Sequence, residues 1–357
     1  MKVLITGACG FVGYTLTRHL LENEPGFSVV GMDNLIRPGS EQNRAELTKL
    51  GLALHHGDIR AASDIESLPA ADWVIDASAN PSVLAVVDGK MSSRQLIEHN
   101  LFGTVNLLEY CRKHKAGFIL LSTSRVYSIR SLADLDVEVH GEAFRPRQGA
   151  PLPSGLTEQG VSEGYCTEPP LSLYGCSKLA SEILALEYGE MFGFTVWINR
   201  CGVLAGAGQF GRADQGIFAF WINAYLRRRP LTFIGFGGKG YQVRDCLHPL
   251  DLIPLLKKQM EGDPPPCAPR TVNIGGGQSH AISLADLSGW CRSRFGPHPI
   301  ESDRLRRPFD VPWMVMDSSL AHATWGWKPE RSLEAILTEI AEHAEKHPNW
   351  LEISGLR

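Results

Sequence analysis

Lys2-Val3-Leu4-Ile5-Thr6-Gly7-Ala8-Cys9-Gly10-Phe11-Val12-Gly13 is the stretch that decides the fold. Its opening residues are a short β-rich run, and Gly7, Gly10 and Gly13 form a G-x-x-G-x-x-G turn behind it. Over residues 11–22 apolar side chains return at helical spacing, so the segment reads as strand, tight turn and helix. Glycines let the backbone turn sharply and approach another group closely, and the free amides opening a helix attract a pyrophosphate. A glycine triplet alone is weak evidence. Asp33, twenty residues past Gly13, strengthens it by closing a second apolar run over residues 27–32. A carboxylate there accepts hydrogen bonds from both hydroxyls of an adenosine ribose and repels a 2′-phosphate, which selects NAD over NADP.

Outward from this unit the alternation continues. Residues 52–56, 73–76, 117–122 and 194–199 read as further short buried strands, and residues 95–113 and 174–191 as long helices. Such alternation predicts an α/β fold, a Rossmann-type doubly wound parallel sheet. Residues 128–173 are rich in Pro and Gly, show no period and read as one long loop. Beyond residue 200 the pattern becomes irregular, with helices over 216–227, 283–295 and 332–347. The expected division is a cofactor-binding domain of residues 1–204 and 241–262, with a smaller α/β substrate domain of residues 205–240 and 263–357.

Composition bounds the partners. The 357 residues are 43% hydrophobic and 21% charged, with a formal net charge of −4. That balance gives no reason to expect nucleic acid, and short basic runs at Arg227–Arg229 and residues 304–307 do not reverse it. No apolar run approaches the ~20 residues that span a bilayer, and no signal peptide is recognisable, so a cytoplasmic protein is expected. The eight cysteines stand singly without a C-x-x-C pair, so neither a zinc site nor a disulfide framework is expected.

Catalytic chemistry enters at Leu171-Ser172-Leu173-Tyr174-Gly175-Cys176-Ser177-Lys178, a Y-x-x-x-K opening a helix. Positions i and i+4 share a helix face, so the Lys178 ammonium can lie near the Tyr174 phenol and lower its pKa. A free phenol titrates near ~10, and work at neutral pH asks for roughly 3 units, about 4 kcal/mol. Lysine and a positive nicotinamide ring are the expected sources. The run Leu120-Leu121-Ser122-Thr123-Ser124-Arg125-Val126-Tyr127 puts hydroxyls at the C-terminal end of a buried strand, where α/β sheets bind ligands. Thr123 can there share a hydrogen bond with the substrate hydroxyl that Tyr174 deprotonates.

With these motifs together, the chain resembles the extended short-chain dehydrogenase/reductase family, the NAD-dependent epimerases and dehydratases, from residue 1 to about residue 328. Within it the nearest likeness is to the CDP-paratose 2-epimerase (CDP-tyvelose epimerase) group, through DNLIRPGS, HGDIR, NLFGTVNLLEY, STSRVYS, LYGCSK, QFGRADQG and GYQVRDCLH. The resemblance implies Thr123, Tyr174 and Lys178 as the catalytic set. It implies that Gly7, Gly10, Phe11, Val12, Gly13, Asp33, Asn34, Asp58, Ile59, Ala77, Ser78, Ala79 and Asn100 bind NAD, together with Tyr174 and Lys178. Asp58 reads equally as a cap on a helix over 61–68. For a nucleotide-diphosphate sugar it implies Asn80, Ser124, Arg125, Gln209, Phe210, Gln215, Gln242, Arg244, Arg307 and Asp310. Arg244 and Arg307 would hold the diphosphate, Arg307 within an R-x-x-D pattern ending at Asp310. A homodimer or homotetramer is the family's habit.

The subclass follows from chemistry. Dehydratases and decarboxylating relatives need an acid or base beside the oxidised sugar, and the family usually places acids one or two residues after the threonine. Here those positions are Ser124 and Arg125. Epimerisation needs no such group, because the keto-sugar turns and is reduced again on its other face. The alternatives are a nucleotide-sugar 4-epimerase, a reductase that releases its cofactor, and a non-catalytic NAD-binding sensor. Two departures fall near the expected sugar: Asp76-Ala77-Ser78-Ala79-Asn80-Pro81 in place of a His-Leu-Ala-like run, and Ala205 where an aromatic is usual.

Overall fold

The computed structural model describes residues 1–84, 87, 89, 92–262, 265, 267–305 and 307–356. Arg306, within the basic run noted above, lies outside them. Seven parallel strands form the main sheet: β1 (Lys2–Thr6), β2 (Ser28–Asp33), β3 (Ala53–His56), β4 (Trp73–Asp76), β5 (Gly117–Thr123), β6 (Val196–Cys201) and β7 (Thr271–Ile274). Their spatial order is 3-2-1-4-5-6-7. The order reverses between β1 and β4, which opens a crevice at the carboxyl ends of the strands.

Both faces of this sheet are buried, and the strands show why in their alternation. Val3, Ile5, Ile119 and Trp197 pack on one side with Leu16 and Leu20 of α1 (Phe11–Asn23). Leu4, Phe118, Leu120 and Ile198 pack on the other with Leu107 and Leu108 of α2 (Gly103–His114) and Ala185 of α3 (Ser172–Phe192). Two-sided burial is what a parallel sheet requires. Next to it, Val243–Leu247 pairs with Val203–Leu204, Ala281–Ser283 and Trp313–Met314 in a small mixed sheet. A helical layer of α4 (Ile217–Leu226), α5 (Leu284–Phe295) and α6 (Leu333–Lys346) backs it around Trp221, Leu287 and Ile340. Ser283 and Ser332 cap the last two helices, accepting from the backbone amides of Asp286 and Ala335.

Three expectations change. The single helix over 95–113 is instead Ser93–Ile97, a π-helical turn at Glu98–Phe102, and then α2. Hydrophobic spacing does not register one wide turn, because the apolar stripe resumes after it. Residues 128–173 are not one structureless loop. They contain the helix Ile129–Ala133 and two hairpins, Val137–His140 with Ala143–Pro146 and Leu156–Thr157 with Gly160–Val161. Leu132, Leu156, Val161 and Tyr165 bury themselves against Val243, Trp313 and Met316. Finally, β7 comes from the stretch expected to serve the substrate domain, and Val243–Leu247 joins the small sheet rather than the large one. The chain thus crosses between the two sheets more often than composition suggested. Among the described residues no helix is long and apolar enough to cross a membrane.

One buried ion pair sits where sheet and helix layer meet. Arg200 on β6 and Glu182 on α3 pair at 2.7 Å, their side chains 10% and 2% exposed, and the Ser122 hydroxyl also donates to Glu182. Removing one partner strands the other's charge in the interior. Glu182→Ala should therefore cost about 3–5 kcal/mol, read as a lower urea midpoint at unchanged slope; a shift under about 1 kcal/mol would contradict this account.

Candidate active site

The glycine turn is built as a cradle. Gly7 adopts φ +66°, and a Cβ on Gly13 would lie 2.0 Å from the Gly7 carbonyl oxygen. No side chain fits between strand end and helix start, so α1 opens directly onto the crevice. A cavity of about 340 Å³ lies there, lined by Gly7, Gly10, Phe11 and Val12 from the turn, Asp33 and Asn34 after β2, and Ile59 after β3. Ala77, Ser78 and Ala79 after β4, Thr123 ending β5 and Tyr174 on α3 complete its inner wall. Gln209, Phe210 and Gln215 close it from the second half of the chain. Residues from five strand ends thus converge on one cavity.

The Asp33 carboxylate accepts from the amides of Cys9 at 2.8 Å and Leu35 at 2.7 Å. It therefore fixes the glycine turn as well as facing the cavity. Burial raises its pKa, while these amides pull it down. Asn34 donates to Asp58 at 3.0 Å. Asp58 is held by Arg60 at 2.7 Å, which keeps its carboxyl well below the usual range, and it does not cap the helix Ala62–Glu66. Asn100 lies in the π turn, where its side chain accepts from the Asn80 amide at 2.8 Å and donates to the Asn80 carbonyl at 3.1 Å. It also donates to Ser177 at 3.2 Å, joining the loop after β4 to α3. Its work in the structure is to hold the walls together.

The Thr123 side chain lies beside the Tyr174 phenol. Burial pushes the phenol up to about 12, against the pull of that side chain and of the Arg125 charge. Lys178, one turn along, is 1% exposed. Burial lowers its pKa, and Asp76 and Glu182 counter that with opposite charge. The expected substrate residues fall into two groups. Arg244, Arg307, Asp310 and Tyr174 all lie within electrostatic reach of Arg125, and Arg244 is bonded to Asp310 at 2.6 Å. Gln242 is buried apart from the cavity and donates to the Ile234 carbonyl at 3.1 Å. Ser124 is buried in the short turn Ser124–Val126.

The residues present fit NAD: a turn closed to any Cβ, a carboxylate at the end of β2, and a phenol at the inner wall. A model of one family, the NAD dependent epimerase/dehydratase family, matches residues 3–275. The chain belongs to that family. It is an NAD-dependent enzyme of the epimerase/dehydratase kind. Similar proteins include CDP-paratose 2-epimerase of Salmonella typhi, 30% identical over 80% of this chain and 82% of that one. dTDP-glucose 4,6-dehydratase of Shigella flexneri is 27% identical over 99% and 95%. Among solved structures, UDP-glucuronic acid 4-epimerase from Bacillus cereus, in complex with UDP-glucuronic acid and NAD, superposes with a TM-score of 0.76. It is 26% identical, covering 97% of this chain and 99% of that one.

Several wall residues of this epimerase/dehydratase site escaped the sequence reading. Arg37 lines the cavity, donates to Gln215 at 2.6 Å and also reaches the Phe210 carbonyl. A cation four residues past Asp33 was a usable signal. His99 and Cys201 also line it; the π turn delivers the first, and no spacing rule announces that turn. Because Asp33 both holds the glycine turn and lines the cavity, Asp33→Ala should weaken NAD binding by at least tenfold, about 1.4 kcal/mol or more, in calorimetric titration of NAD-stripped protein. Unchanged affinity would remove Asp33 from the site.

Proposed function

We propose that the chain epimerises the sugar of a nucleotide-diphosphate sugar through a transient keto-sugar, with C2 of a CDP-sugar of the paratose/tyvelose type as the leading substrate. The observation that carries the reading is the wall beyond Thr123. Ser124 and Arg125 occupy the positions where a dehydratase carries its acids, and Asp310, the carboxylate facing Arg125, is already bonded to Arg244 at 2.6 Å. Elimination of water from a keto-sugar would lack its base, whereas inversion needs none. The choice of CDP and of C2 is supported by the likeness to the Salmonella typhi protein.

NAD would be held by the Gly7–Gly13 turn and Asp33, and when bound it supplies the acceptor and donor of hydride. Tyr174, as phenolate, takes the proton of the sugar hydroxyl. Thr123, beside the phenol, would align it with that hydroxyl. Arg244 and Arg307 serve as the diphosphate anchor, about which the keto-sugar turns. Tyr174 then returns its proton to the same oxygen. The site ends each turnover as it began, so no second redox substrate is needed.

Tyr174→Phe should lower the rate of inversion by about 10²–10⁴-fold while leaving bound NAD in place. The measurement is NMR of products after incubation with CDP-, UDP-, GDP- and dTDP-sugars. A fully active Phe variant, or no inversion with any of these sugars, would overturn the reading; inversion at C4 would move the substrate to the 4-epimerase class.

A further inference from the structure

Gln209, Phe210, Gln215 and Gly216 wall the cofactor cavity from the second half of the chain, yet residues 209–216 belong to neither sheet. Within the segment, backbone bonds close only small turns. The Gly211 amide donates to the Gln209 carbonyl at 2.8 Å, and Arg212 and Gln215 exchange bonds at 2.6 and 3.1 Å. Such a segment opens easily unless side chains from elsewhere hold it.

The last helical turn of the chain, Trp350–Ile353, supplies that hold. The Trp350 ring, 5% exposed, stacks on Phe210 with centroids 5.3 Å apart and planes 18° from parallel. Its Nε1 donates to the Gln209 carbonyl at 2.9 Å, and Arg212 Nε donates to the Ser354 carbonyl at 2.9 Å. Phe210 is also pressed against Gly39, where a Cβ would lie 2.5 Å from its ring. Trp350 is not backed by solid core alone. It lines a second cavity, of about 590 Å³, together with Tyr14, Asn43, His248 and His343. His343 meets the indole edge to face at 4.5 Å, and burial brings its imidazole down to about 4, so an uncharged ring braces the indole at neutral pH. One indole thus stands between two cavities and fixes the wall of one.

We propose that Trp350 is a positioning residue for the cofactor: through Phe210 and the Gln209 carbonyl it holds the cavity's outer wall in place and slows the release of bound NAD. Trp350 does not itself line the cofactor cavity, so it acts through these two residues. The stack supplies most of the hold, and the single N–H bond adds to it.

The test follows release of NADH from the loaded protein by stopped-flow fluorescence after mixing with excess NAD, so no sugar is required. Trp350→Leu should raise the release rate by about tenfold, and Trp350→Phe, which keeps a stacked ring, should restore most of the retention. Phe210→Leu should speed release too. The double variant should release no faster than the faster single one, because the same stack is lost in either case. Should Trp350→Leu not fold, Arg212→Gln, which gives up the Ser354 carbonyl, should raise release by about threefold. Unchanged release in whichever of these folds, or additive effects of Trp350→Leu and Phe210→Leu, overturns the proposal and leaves Trp350 a residue of the core.

Discussion

Strand β5, with the turn that follows it, touches helix α3 at three points, and the candidate site exists because they do. The Ser122 hydroxyl donates to Glu182, the Thr123 side chain meets the Tyr174 phenol, and the Arg125 carbonyl presses on Gly175. The last contact is steric and the least forgiving, since only a residue without a Cβ lets the strand end come so near. Widening it would carry Thr123 away from Tyr174. Packing on both faces of the sheet holds α3 against β5, so the precision of the site derives from the core beneath it.

That core also decides how charge is spent around the phenol. A lysine sealed at 1% exposure stays ionised only if carboxylates face it, and Asp76 and Glu182 do. Arg200 also holds Glu182, which makes the group a network rather than a pair. Arg125 lies outside that network, next to two further arginines and a single committed aspartate. The partners that surround these two cations differ, and the Y-x-x-x-K spacing contains neither set.

This also marks what the sequence could reveal. Gly7 to Gly13 and Asp33 announced a strand, a turn closed to side chains and a carboxylate, because each demand falls on a residue type at a fixed spacing. Thr123 and Tyr174, far apart in sequence, met as expected because strand ends and helix starts converge on one edge of a parallel sheet. Legibility failed where geometry outruns periodicity. The π turn that aims His99 and Asn100 leaves the apolar stripe intact on either side. The hairpins within residues 128–173 are two to four residues per strand, too short to alternate visibly, and they fold because Leu156 and Val161 find Trp313 and Met316. Strand β7 was missed for the same reason, being four residues followed directly by Gly275, Gly276 and Gly277.

The cavity's outer rim completes the physical picture. Arg37, after β2, bonds to Gln215 and the Phe210 carbonyl, and Ser82, after β4, bonds to Asp214 at 2.7 Å. Both links run from the Rossmann half to one short segment, residues 209–216, which Trp350 holds from behind by stacking on Phe210 and donating to the Gln209 carbonyl at 2.9 Å. A molecule passing that rim must part bonds made by a half-buried arginine and a packed aromatic, and such steps slow exchange. For a reductase, which must swap its cofactor every cycle, this would tax each turnover. For an epimerase, whose cofactor ends each cycle as it began, a slow rim costs nothing. The rim and the missing acids therefore favour the same chemistry on separate grounds, one kinetic and one concerning which base is at hand.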